Sequence, residues 1–180
     1  MTSEPSDLAL LAVALDQAAN LLGRVGDDEL SAATPCTEWT VSDLVDHLVN
    51  APANFTTMMR GEQPDWGTPP PHVGADRETR FRTAGDGLVE AWRSGGDGDR
   101  DQPSPLDWQL AELAVHTWDL ATAVHEPTDD LDPAVAERGL SFMQQGLTDD
   151  NRGPVFGPEQ PAPPDADAYT RIAAFAGRQV

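Results

Sequence analysis

Glu112 and His116 stand four residues apart in AELAVHTWDL, residues 111–120, within a largely apolar run. On a helix, at about 100° per residue, their side chains are only about 40° apart and project from one strip. An ionisable pair in such a run costs stability unless something satisfies it. His47, in VSDLVDHLV, sits in a similar way beside the apolar stripe of Leu44, Leu48 and Phe55. Two imidazoles and a carboxylate from two core helices suit zinc, nickel or iron(II). Three protein ligands leave a position for water or substrate, the arrangement of a catalytic zinc. An ion there lowers the pKa of a water or thiol in its open position and supplies a nucleophile near neutral pH. The same spacing also fits a surface hydrogen bond or a satisfied core pair, and spacing alone does not bring His47 to His116.

Other residues with chemistry fall outside this set. His125 lies about half a turn round the helix from His116 and near its C-terminus, where positive charge is favoured. His72 belongs to a proline-rich loop and is expected in solvent, unless that loop folds over the site. Cys36 precedes the cap of the second helix, and about 10 Å of helical rise separates that cap from His47, so a buried structural cysteine is expected rather than a ligand. Asp119 is placed to support a metal-bound histidine from behind or to pair locally. Trp39 and Trp118 read as packing residues.

Helices must position these groups. Leu8, Leu11, Leu15, Ala18 and Leu22 recur at three- and four-residue steps and predict a helix over 5–24. Thr40, with Asp43 three positions on, predicts the capped start of a second helix whose stripe is Val41, Leu44, Val45, Leu48, Phe55 and Met59, bent at Pro52. A proline-rich loop at 61–73 precedes a third helix over 75–94, weakened by Gly85 and Gly87. Ser104, Pro105 and Asp107 mark the start of a fourth helix running to about 125. A fifth runs from about 132 to 148, and a short one lies within 166–177, after an irregular stretch from about 151. No strand pattern, internal repeat or dinucleotide-binding glycine motif is found. The class is therefore all-α in a single domain over 1–180, and short connections favour an up-and-down bundle. On the fourth helix, Trp108, Val115 and Trp118 cover the side away from the main stripe. They suit either a homodimer contact or packing under the C-terminal segment.

The formal net charge is −20, and all eleven basic side chains are arginine. GC-rich codon usage and adaptation to salt both produce such a composition. A surface of this sign repels phosphate backbones and anionic lipid, so nucleic acid and membrane are not expected partners and a small-molecule substrate is. A lone cysteine excludes an internal disulfide framework. The N-terminus lacks a basic leader and its apolar run is too short to span a bilayer, which predicts a cytoplasmic protein.

TPCTEWTVSDLVDHLV resembles the second-helix signature of the metal-binding domain of mycothiol-dependent maleylpyruvate isomerases, and ELAVHTWDLA resembles their fourth-helix signature. Single-domain actinobacterial proteins of the same kind are closer still, with a tail similar to FGPEQPAPPDADAYTRIAAFAGR here. The wider group is the DinB/YfiT-like superfamily. The resemblance implies a DinB-like four-helix bundle with additional C-terminal helical segments, holding one divalent metal ion, zinc first and nickel or iron next. By motif position the ligands carry over as His47, Glu112 and His116. It also implies a thiol-dependent transferase or isomerase with mycothiol as cosubstrate; a non-enzymatic bundle that binds metal or a small ligand is the alternative. The isomerases have a further C-terminal domain that this chain is too short to hold. The segment 94–104 is also short and glycine-rich beside its relatives, so substrate choice does not carry over.

Overall fold

A computed structural model describes residues 7–95, 105–153 and 156–180. Six α-helices account for its regular structure: α1 (Asp7–Leu22), α2 (Val41–Met59), α3 (Arg77–Gly95), α4 (Pro105–Ala123), α5 (Pro133–Gly146) and α6 (Ala168–Phe175), with a short 3-10 turn at Asp27–Glu29. The class is all-α, as the periodicity predicts. Among the described residues no helix is long and apolar enough to cross a membrane.

Local chemistry explains where the helices start. The Thr40 hydroxyl accepts from the Asp43 backbone N–H, while the Asp43 carboxylate accepts from the Thr40 N–H at 2.9 Å, a reciprocal cap for α2. Asp132 caps α5 ahead of Pro133, and Asp167 caps α6. The cap expected of Ser104 lies outside the described residues. α2 continues through Pro52 for seven more residues. α4 ends where His125 takes a left-handed φ of 57° in solvent.

The neighbours differ from those of an up-and-down bundle. α1 packs on α3 and α4, and α2 packs on the same two, so the ring runs α1–α3–α2–α4. Consecutive helices α1 and α2 are thus not principal neighbours. The connection at 23–40 is long enough to cross the end of the bundle. It is held there by an isolated bridge between Ala33 and Thr40 and by Arg77, which donates to the Val25 carbonyl at 2.8 Å.

α5 lies against α4 and α1, and α6 against α5 and α4. Gly139 allows the first of these contacts: a Cβ there would sit 2.8 Å from Ala111 Cα. Val115 and Trp118 are buried within this single chain, and Trp108 is partly exposed. Leu11, Leu44, Phe55, Phe81, Leu110 and Leu120 are among the fully enclosed core side chains. The chain after α6 turns at Gly177, φ +90°, where a Cβ would collide with the Gly157 backbone at 2.6 Å. That turn delivers Arg178 to the interior.

Candidate metal centre

His47 comes from the middle of α2, and Glu112 and His116 come from successive turns of α4. The α2–α4 seam brings them together. His47 Nε2 lies 2.5 Å from Glu112 Oε1, and His116 Nε2 lies 3.3 Å from the same oxygen. Each residue offers one ligand atom, and the three atoms all lie within 4.8 Å of one another. Ligand atoms around tetrahedral zinc, at about 2.0–2.2 Å from the ion, stand about 3.3–3.6 Å apart. The observed separations bracket that value, so the donor set fits a small divalent cation. His47 and Glu112 remain 18% and 17% exposed, which leaves the cluster open on one side.

Behind His116 the structure is closed. Its Nδ1 lies 3.1 Å from Asp119 Oδ2, which leaves Nε2 to face Glu112 and His47. Asp119 is fully buried and accepts two bonds from Arg178, from Nε at 3.1 Å and from an η nitrogen at 2.9 Å. The other η nitrogen of Arg178 donates to the Ala176 carbonyl at 3.0 Å. His47, Glu112, His116, Asp119 and Arg178 thus form a chain of alternating acceptors and donors.

The electrostatics follow from this chain. Burial alone would raise the Glu112 carboxyl, but the charge and hydrogen bond of His116, joined by His47, reverse it and hold Glu112 far below the usual carboxylate range. Burial would likewise lower His116; the Glu112 charge and the bond to Asp119 push it up to about 9 instead. Burial opposes ionisation of Asp119, and the hydrogen bonds from His116 and Arg178 overcome it, keeping the carboxyl low.

Aromatic rings flank the donors. The Trp39 ring lies 4.7 Å from that of His47 and 5.7 Å, near parallel, from that of His116. Trp66 lies 6.3 Å from His47 and packs with Phe55 and Trp108 at 5.6 and 6.1 Å. Trp66 is carried by the proline-rich loop, which folds on itself locally at Asp65 and is pinned to α2 at its far end. Asp65 accepts from the Gly67 and Thr68 backbone N–H groups, and buried Asp46, next to His47, accepts from the Val73 N–H at 2.7 Å.

The remaining sequence candidates sort plainly. His72 is exposed, 3.1 Å from Asp46 Oδ2, so the loop does approach the site but Trp66 is the residue that reaches it. His125 is exposed and outside the cluster. Cys36 is a free, half-buried thiol and not fully buried as expected. Burial pushes its pKa up, against the opposing charge of Arg178. Trp118 packs in the core, and Trp39, also read as a packing residue, packs partly buried against it while its ring flanks His47 and His116. Trp66 and Arg178 escape sequence reasoning; the one available signal is a large aromatic in a polar, proline-rich loop.

The model of the mycothiol maleylpyruvate isomerase N-terminal domain matches residues 11–121, which span α1 to α4 and all three donors. The chain belongs to that family. Two curated relatives from Mycobacterium tuberculosis, in strain CDC 1551 / Oshkosh and in strain H37Rv, are each 30% identical over 93% of this chain and 94% of their own length; both are uncharacterized proteins. No solved structure matches it. Within the mycothiol maleylpyruvate isomerase N-terminal domain family, the matched region ends before α5, α6 and Arg178, so the support behind Asp119 comes from beyond it.

Proposed function

We propose that His47, Glu112 and His116 hold one divalent cation, zinc first, and that the protein is a thiol-dependent transferase or isomerase acting on a small molecule, with mycothiol as cosubstrate. The observation that carries this is the convergence of three ligand atoms from α2 and α4 on an open, aromatic-walled side of the bundle. A bound cation supplies Lewis acidity that favours the thiolate form of a thiol near neutral pH. Asp119 fixes the His116 ring, Arg178 holds Asp119, and Trp39 limits the water that reaches both imidazoles. In a transferase reaction the sulfur adds to an activated double bond and the thiol proton goes to the neighbouring carbon. In an isomerase reaction the same adduct expels the thiol after bond rotation. A cytoplasmic location accompanies this reading.

Elemental analysis tests the ligand set. One equivalent of metal is expected in the purified protein, and His116→Ala and His47→Ala are expected to lose it. A full equivalent retained in His116→Ala overturns the assignment. Turnover of mycothiol with electrophilic acceptors, abolished by chelator, is expected of the enzyme. Thiol binding without turnover across such a screen supports instead a non-enzymatic binding bundle.

A further inference from the structure

We infer that the aromatic wall formed by Trp66 and Trp108, backed by the buried Phe55, is an acceptor subsite, and that it takes a planar apolar group. This rests on the thiol-dependent reading above and names the substrate class for that site. Two observations carry it.

The first is continuity. Phe55 and Trp108 stand edge to face at 5.5 Å, Trp66 contacts both, and Trp66 also reaches the His47 ring. An apolar surface therefore begins at one of the three donors and extends away from it. The second is exposure. Trp66 is 40% exposed, one of two large hydrophobic side chains so placed among the described residues. A tryptophan held in solvent by a loop with a local turn at Asp65 and an anchor on Asp46 presents a face that folding leaves uncovered. Aromatic faces of this kind bind flat apolar groups by stacking.

The test uses the full chain loaded with cobalt(II), whose absorption reports a thiol entering the coordination sphere. Phenylmethanethiol and 2-mercaptoethanol are titrated in parallel. Phenylmethanethiol is expected to bind about tenfold more tightly, the scale of one aromatic stacking contact. Trp66→Ala should remove the preference for the aromatic thiol while cobalt content and 2-mercaptoethanol affinity stay unchanged, and Trp66→Phe should restore most of it. No preference in the parent protein, or a preference that survives Trp66→Ala, overturns the subsite. If cobalt is not held, the metal reading has failed and the subsite is tested without it, by quenching of tryptophan fluorescence with 1-naphthol. Saturable quenching lost in Trp66→Ala supports the subsite, and its absence in the parent protein overturns it.

Discussion

Arg178→Met isolates what the C-terminal turn does for the centre. The substitution keeps an apolar stem and deletes both bonds to the Asp119 carboxylate, which is fully buried and then retains only His116 as a partner. Charged hydrogen bonds contribute about 1.5–3 kcal/mol each, so two amount to about 3–6 kcal/mol. Breaking a buried ion pair from one side typically costs about 3–5 kcal/mol, because the remaining charge stays desolvated. The two figures agree. For a chain of this length each kcal/mol lowers the melting temperature by about 2–4 °C, which predicts a fall of roughly 6–20 °C. Calorimetry in the presence of chelator at neutral pH reads this without any contribution from metal. The double variant Asp119→Leu with Arg178→Met removes both charges together and should recover much of the loss. A single-variant loss below about 1 kcal/mol, or a double variant no more stable than Arg178→Met, would refute the idea that this pair is a desolvated, mutually dependent unit.

Two further outcomes follow from local geometry. Gly139→Ala puts a methyl 2.8 Å from Ala111 Cα and 3.0 Å from Ile172, so the urea midpoint should fall by the equivalent of about 1–3 kcal/mol, whereas Gly146→Ala, with open space around it, should be neutral or slightly stabilising. Thr40→Ala should cost about 1 kcal/mol near pH 7 through loss of the α2 cap. The Thr40 hydroxyl and backbone bonds hold the Asp43 carboxyl below its ordinary 3.8, so that part of the cap's stabilisation is present above this pH and disappears as pH falls further. The gap in melting temperature between parent and variant should therefore narrow below about pH 3.8, and a gap that stays constant down to pH 3 would count against it.

The helices were legible because burial repeats at 3.6 residues and because Thr40 with Asp43 marks the start of α2. The candidate cluster was legible in part: Glu112 and His116 share a strip by spacing and His47 flanks the stripe of the second helix, but only the family resemblance, not spacing, joined the two helices. The ring order was not legible. Periodicity says which face of a helix is buried but not against which helix, and residues 23–40 are long enough to reach either neighbour. Arg178 was hidden for another reason. It stands 59 residues from Asp119, beyond the last helix, and reaches it only because Gly177 turns the chain through a left-handed conformation. Trp66 sits in a loop whose path depends on Asp46, an acid that a helical wheel gives no reason to bury and that the structure encloses to bind the Val73 N–H.

Stability alone does not account for the centre. A seam of leucines between α2 and α4 would bury more apolar surface than two histidines and a carboxylate, and replacing buried ionic groups by packed apolar ones is often neutral or stabilising. Instead the fold supports these groups with a second, wholly buried pair, Asp119 and Arg178, drawn from a segment that must make a sharp turn to supply it. The support acts on one side only. His116 is fixed from behind through Nδ1, while His47 and Glu112 keep an edge open to solvent beneath Trp39 and Trp66. Rigid backing with an open front is what positioned ligand atoms need if an ion and a substrate are to meet them without rearrangement. A merely structural cluster would be expected to close on both sides, with the loop that carries Trp66 free to wander; here that loop is anchored and its ring is set beside the one histidine that faces out.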